Sequence, residues 1–125
     1  MTHTKEKSMS DVVYALFHYR VKPGMEDRFQ DYLGKVLPVT EAQEPYVLGY
    51  EIFQAPDGSY YQHEHYENEA AVWKHMELTA DGQKDWAEAT EMIQLTMVGN
   101  LTQKFRDTFL GGGGTDFKPF RSVSR

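Results

Sequence analysis

SYYQHEHYENEAAVWKHMEL, at residues 59–78, predicts a strand that runs directly into a helix. Tyr60 to Glu67 alternate between aromatic and polar side chains, and Asp57-Gly58 just before them is typical of a hairpin turn. Asn68 offers a side-chain oxygen to the free N–H groups of a first helical turn. From Glu69 onward apolar residues recur at helical spacing. The stretch therefore predicts a hairpin strand, a helix cap and a helix in immediate succession.

The composition excludes several functional classes. The chain has 125 residues, the length of one domain, and a net charge of −6, which disfavours binding to a nucleic-acid backbone. It has no cysteine, so disulfides, thiolate metal sites and a cysteine nucleophile are excluded. No apolar run approaches the roughly 20 residues of a membrane span, and no signal-peptide core is present. We expect an acidic cytoplasmic domain that binds neither nucleic acid nor membrane.

The segments before the quoted stretch alternate in the same way. Apolar spacing and proline positions predict a strand over Val12–Val21, a helix over Met25–Val36, a loop over 37–46 and a strand over Val47–Gln54. The loop is predicted because Pro38 disfavours a continuing helix.

After the quoted stretch the pattern continues to the C-terminal end. It predicts a helical piece over Gly82–Thr90, a fourth strand over Met92–Val98 and a short helix over Leu101–Leu110 capped by Asn100. One long helix over 86–109 is the competing interpretation, which Gly99-Asn100 disfavours. The pattern predicts one domain over residues 11–110. Residues 1–10 before it are predicted to be flexible. The Gly-rich tail 111–125 follows it and has weak strand character near Phe117–Phe120.

This order is β-α-β-β-α-β, which predicts an α+β fold of the ferredoxin-like type, with one antiparallel sheet and its helices on one face. The first and third strands carry bulky residues on both sides, whereas a sheet with one solvated face alternates more cleanly. We therefore expect a second copy of the chain to cover the open face, as a homodimer.

The sequence resembles the antibiotic biosynthesis monooxygenase-type domains, also called quinol monooxygenase-like, of the dimeric α+β barrel superfamily. The residues that carry the resemblance are Val21-Lys22-Pro23-Gly24, Glu44-Pro45, Gly49-Tyr50-Glu51, Asp57-Gly58, Glu64-His65-Tyr66-Glu67, Ala70-Ala71 and His75. It spans residues 12 to about 110. It implies the dimeric barrel fold and a pocket between the helices and the sheet.

The resemblance also implies a reaction. Members of this family commonly oxidise aromatic or quinol-like substrates with O2 without flavin, haem or metal, so no cofactor is expected. Such chemistry needs a general base in an apolar pocket, and His75 is the best candidate because histidine titrates near neutrality. The implied hydrogen-bonding residues are Tyr66 and Glu64, and the implied apolar substrate-binding walls are Phe17, Tyr50 and Trp73.

Other interpretations remain open. His75, Glu64 and Tyr66 are also compatible with purely structural roles, and Trp73 with packing. An isomerase or other small-molecule enzyme on this fold, or a dimeric binding module without chemistry, would carry the same residues. His63 and His65 stand two apart on one strand, but no third ligand is fixed at a confirming spacing, so no metal site is predicted.

Two departures from the family pattern matter. The usual Glu-Pro-Gly becomes Glu44-Pro45-Tyr46, so Tyr46 is expected to reshape one end of the barrel. The haem-degrading relatives use asparagine, tryptophan and histidine where this chain has Phe17, His75 and Asp85, which disfavours haem degradation.

Overall fold

The computed structural model describes residues 11–125; the predicted flexible segment 1–10 lies outside the described residues. The elements in chain order are β1 (Val13–Val21), α1 (Glu26–Gln43), β2 (Val47–Gln54), β3 (Tyr60–Tyr66), α2 (Glu69–Leu78), α3 (Ala80–Ala89), β4 (Thr90–Val98), α4 (Gln103–Leu110) and β5 (Thr115–Phe117). The predicted strand-to-helix stretch is confirmed, including its cap, since the Asn68 side chain accepts a hydrogen bond from the Ala71 N–H at 2.8 Å.

The strands form one sheet in the order β2-β3-β1-β4-β5. β1 lies antiparallel between β3 and β4, and β2 pairs antiparallel with β3, which is the arrangement of a ferredoxin-like fold. β5 is added parallel to β4, with Thr96 opposite Thr115. The predicted α+β fold class is therefore confirmed, with one short parallel strand added at the edge.

β3 places its side chains alternately on the two faces of the sheet. Gln62, Glu64 and Tyr66 are buried beneath the helices, whereas Tyr61, His63 and His65 point to the other face and are partly or largely exposed. A strand that is polar and aromatic throughout therefore delivers one amide, one carboxyl and one phenol to the protein interior.

The prediction of a loop over 37–46 is wrong, because α1 continues through Pro38 to Gln43. A proline ring in a helix meets the carbonyl four residues earlier, which here belongs to Gly34. Val36 and Thr40 continue the buried face of the helix, so tertiary packing outweighs the local cost of the proline. The extension brings Glu44 to the interior.

α1 and α3 lie against each other at a glycine. A Cβ atom built on Gly82 would be 2.4 Å from Cγ2 of Val36, so only glycine permits this approach. Asp85, one turn later, accepts from Arg28 and Lys35 of α1 at 2.8 Å each, and these bonds lower the pKa of Asp85. The residue at the position of the haem ligand in relatives thus holds two helices together.

α4 begins at Gln103, and its cap is Thr102 instead of the predicted Asn100. The Thr102 hydroxyl oxygen accepts from the Phe105 N–H at 3.2 Å, while the Glu69 carboxylate accepts from the Thr102 N–H at 2.6 Å. This second bond ties the start of α4 to the start of α2. The single-helix alternative over 86–109 is excluded, because Thr90–Val98 forms β4.

The open face of the sheet carries a stack of rings. Tyr14 of β1 lies 4.2 Å from His65 and 5.6 Å from His63, with nearly parallel ring planes. Phe53 and Tyr61, paired on β2 and β3, are 53% and 44% exposed. This face is therefore an exposed aromatic surface, in contrast to the face covered by helices.

Candidate functional site

A cavity of about 200 Å³ lies between the helices and the covered face of the sheet. Its apolar wall is formed by Ala15, Phe17, Val72, Met76, Trp86, Ala87, Leu95, Met97 and Phe109. Four polar residues complete it: Gln62, Glu64, Tyr66 and Gln83. Few converging polar groups in an apolar enclosure are the usual composition of a small-molecule site.

Glu64 is the acidic group of this cavity. Its Oε1 accepts from the Tyr66 hydroxyl and its Oε2 from the Gln62 amide, both at 2.5 Å. Burial raises the pKa of Glu64, against hydrogen bonds from Tyr66, Gln62 and Tyr50 that favour the carboxylate. The raised pKa favours the protonated carboxyl, and carboxyl groups perturbed in this way are common at functional sites.

Gln62 links Glu64 to a group of buried tyrosines. Its amide oxygen accepts from the Tyr19 hydroxyl at 2.7 Å, and its amide nitrogen lies 2.9 Å from the Tyr32 hydroxyl and 3.1 Å from that of Tyr50. Tyr32 and Tyr50 are also hydrogen-bonded to each other. Burial raises the pKa of all three phenols, so they act as neutral hydrogen-bonding groups that fix the Gln62 amide.

His75 lies directly behind the cavity and is completely buried. Its ring centroid is 5.6 Å from those of both Tyr50 and Tyr66. Nδ1 is 2.5 Å from Oε1 of Glu44, and Nε2 is 3.4 Å from the side-chain nitrogen of Gln83, which lines the cavity. The imidazole therefore has a carboxylate on one side and a cavity residue on the other.

Tyr46, the departure from the family's Glu-Pro-Gly, reaches this pair from outside. Its hydroxyl donates to Oε2 of Glu44 at 3.2 Å, and Lys74 Nζ lies 5.0 Å from the centre of its ring. Burial, and then the Glu44 charge, raise the pKa of Tyr46. A larger open groove of about 800 Å³ passes over Tyr46 and α2, but its charged residues, Glu67, Lys74 and Glu77, are exposed.

The predicted site residues fall into three groups. Phe17, Glu64 and Tyr66 line the cavity. Tyr50 and His75 stand one layer behind it. Trp73 lies elsewhere: it is 38% exposed and packs on α4, with its ring 5.0 Å from that of Phe109.

Sequence reasoning missed several residues of the site. Gln62 lies two residues before Glu64, so strand alternation alone would have placed both on one face. Gln83 and Trp86 belong to α3, whose inward side was not predicted. Glu44 was assigned to a loop, because Pro38 was taken to end the preceding helix.

Comparisons with known proteins agree with this fold. The family model described as antibiotic biosynthesis monooxygenase matches residues 12–89. No curated protein matches the chain. The crystal structure of MupZ from Pseudomonas fluorescens is similar with a TM-score of 0.76 at 15% sequence identity, covering 92% of this chain and 95% of that one.

Two further solved structures extend this likeness. A candidate antibiotic biosynthesis monooxygenase from Caulobacter crescentus has a TM-score of 0.59 at 15% identity, covering 81% of this chain and 100% of that one. A conserved protein from Methanosarcina mazei has a TM-score of 0.60 at 13% identity, covering 77% and 99%. At these identities the structures support the fold alone. The family match spans more than half of the chain and confirms the resemblance seen in its motifs: the chain belongs to the antibiotic biosynthesis monooxygenase family.

Proposed function

We propose that this protein is a cofactor-independent monooxygenase that oxidises a small phenol or quinol with O2 in the cavity beneath α2 and α3. The observation that carries the proposal is Glu64, a buried carboxyl group with a raised pKa that lines a cavity whose wall is mostly apolar. The family supports the reaction type, and the cavity supports the kind of substrate.

The cavity limits the substrate in size and charge. A cavity of about 150 Å³ is known to hold benzene, so about 200 Å³ suits one substituted ring. The described residues that line it include no lysine or arginine, so a carboxylate or phosphate on the substrate would have no cation to pair with. We therefore expect an uncharged single-ring phenol or hydroquinone.

The reaction requires loss of the hydroxyl proton. The resulting anion carries negative charge into the ring, which lets it give one electron to O2. The phenoxyl radical and superoxide then combine at a ring carbon, and the peroxide anion so formed takes back the proton from the base to give a hydroperoxide. Loss of water from that hydroperoxide leaves a quinone, so a phenol with a free ring position and O2 give a quinone and H2O. In this scheme His75 takes the proton of the substrate hydroxyl. Glu64 and Tyr66, whose raised pKa values favour their protonated forms, give up the hydrogen bond between them and donate to the substrate oxygen.

A second candidate is a proton-transfer enzyme, such as an isomerase, that uses the same cavity without O2. It is favoured by the same raised pKa of Glu64, because the protonated carboxyl favoured by burial can donate a proton to a bound substrate and take one back. A binding module without chemistry is the third possibility. Turnover in the absence of O2 separates the second candidate from the first.

The test is O2 consumption with a panel of single-ring phenols and hydroquinones, compared with two-ring analogues. His75→Gln is expected to lower kcat/KM by about 10²–10⁴, the usual contribution of a general base. His18→Gln is the matched control, because His18 is hydrogen-bonded to Ser59 away from the cavity. Oxidation that survives His75→Gln would contradict the assignment of the base, and equal turnover without O2 would favour the isomerase.

We further propose that the working form is a homodimer whose interface is the exposed aromatic face around Tyr14, Phe53 and Tyr61. A second copy of the chain would cover these rings and bury apolar area that the monomer leaves in water.

No helix among residues 11–125 has both the length and the apolar character of a membrane span.

This face predicts a pH dependence. Burial, and then the neighbouring His63, lower the pKa of His65 below its ordinary 6.5. The unfolded chain then binds the proton more tightly, so the folded form loses stability as the pH falls below 6.5. As the pH is lowered below 6.5, the melting temperature of the wild type and its mass measured by sedimentation are expected to fall together. Both are expected to fall less in His65→Gln. A mass of one 14.5 kDa chain well above pH 6.5 would contradict the dimer.

A further inference from the structure

We propose that Glu44 is a positioning residue of this site: it holds His75 in the tautomer with its proton on Nδ1 and leaves Nε2 as the basic nitrogen. Gln83 contacts that nitrogen and is displaced from it by the hydroxyl of a bound substrate. The tautomer follows from contacts within the chain, whereas the exchange of partners rests on the proposed function.

Thr79 fixes the orientation of the Gln83 amide. The Thr79 hydroxyl donates to the backbone oxygen of His75 at 2.6 Å, so its only hydrogen is used. The same hydroxyl oxygen lies 3.1 Å from Gln83 and can therefore only accept there. An accepting partner requires the NH2 end of the Gln83 amide at this position.

The tautomer of His75 follows from that orientation. The Gln83 NH2 group has two hydrogens, one directed to Thr79 and the other available to Nε2 of His75 at 3.4 Å. Because an amide NH2 cannot accept, Nε2 must accept and carries no proton. The ring proton is therefore on Nδ1, which lies 2.5 Å from Oε1 of Glu44 and donates to that carboxylate.

Burial makes Glu44 necessary for this arrangement. The side chains of His75 and Glu44 are both 0% exposed, so water cannot replace the carboxylate at Nδ1. The other oxygen of Glu44 is held by the Tyr46 hydroxyl at 3.2 Å, which limits rotation of the carboxylate. Glu44 thus orients the base without touching the cavity contents, in the manner of the third member of a catalytic triad.

The test is the tautomer itself, read from long-range ¹H–¹⁵N spectra of the histidine rings. We expect wild-type His75 to carry its proton on Nδ1, and Glu44→Gln to retain it, because the amide oxygen can still accept. Glu44→Ala is expected to lose the Nδ1–H signal. Glu41→Ala, a change at an exposed residue one turn earlier, is the matched control. A proton on Nε2 in the wild type, or an unchanged Nδ1–H in Glu44→Ala, would overturn the proposal.

Gln83→Leu keeps the proposal testable if Glu44→Ala does not fold. It removes the donor at Nε2 and should shift the Nε2 resonance while the Nδ1–H signal stays. A change of tautomer in this variant would mean that Gln83, and not Glu44, sets the proton position. That result would overturn the assignment of Glu44.

The substrate step is tested with phenol as the probe. Phenol bound to the wild type is expected to shift the His75 Nε2 resonance as its hydroxyl replaces the Gln83 amide. Phenol that shifts the ring signals of Phe17 and Trp86 but leaves Nε2 unchanged would overturn the exchange of partners. These spectra need no turnover, so an inactive protein with the predicted tautomer would contradict the proposed function and leave the role of Glu44 intact.

Discussion

His75→Ala is expected to lower the free energy of unfolding at neutral pH by about 3–5 kcal/mol, the range seen when a mutation leaves a buried charged group without its partner. The loss is expected because the Glu44 side chain is fully buried and its Oε1 accepts a hydrogen bond from Nδ1 of His75. Among residues 11–125, the hydrogen bond that this carboxylate retains without the imidazole is the one from the Tyr46 hydroxyl at 3.2 Å. Urea unfolding followed by tryptophan fluorescence measures the change.

The double variant His75→Leu with Glu44→Leu separates charge from packing. Removing both polar groups removes the unpaired carboxylate, so the double variant should be more stable than His75→Ala despite carrying two changes. If His75→Ala costs less than about 1 kcal/mol, the value of an exposed pair, the buried pair is not a significant part of the fold.

Phe105→Ala is expected to cost about 3–5 kcal/mol, as is usual when a buried aromatic side chain is truncated. The Phe105 ring is 0% exposed and lies 4.6 Å from the ring of Phe109 and 6.4 Å from that of Trp73. Since Phe109 lines the cavity, loosening α4 should also weaken binding of a single-ring ligand.

Both effects of Phe105→Ala can be measured on one sample, by thermal unfolding with and without phenol. Asp107→Ala is the control on the same helix, because its hydrogen bond to Gln103 is exposed and worth little. Loss of stability with unchanged protection by phenol would show that α4 supports the fold but not the cavity.

The sequence predicted most of the fold because its signals were local. Asn68 and the alternation of Tyr60–Tyr66 are read within a few residues, and both match the structure. The loop predicted from Pro38 was wrong because burial of Val36 and Thr40 outweighs the local preference of the proline. Such burial depends on residues distant in the chain and cannot be read from a short window of sequence. Thr102 was missed as a cap because its position depends on Glu69, 33 residues earlier.

The site was predictable only where strand periodicity controls it. Glu64 and Tyr66 face the cavity because they alternate on β3, and Phe17 because its partner on β3 is Gln62, on the same face. Trp73 recurs at core spacing on α2, but such spacing does not tell which neighbour the ring meets, and that neighbour is α4. The pairing of Glu44 with His75 joins residues 31 apart, and it depends on the continuation of α1 from 37 to Gln43, which was predicted to be a loop.

Gly82 gives relatives of this protein a marker that can be read from sequence alone. A larger residue there would meet Val36 at 2.4 Å, so a relative that carries one must hold α3 farther from α1. Gln83 and Trp86 would move with the helix, and they form part of the cavity wall. The size of the residue at position 82 therefore sets how near α3 lies to α1 and, through Gln83 and Trp86, the width of the cavity in this protein.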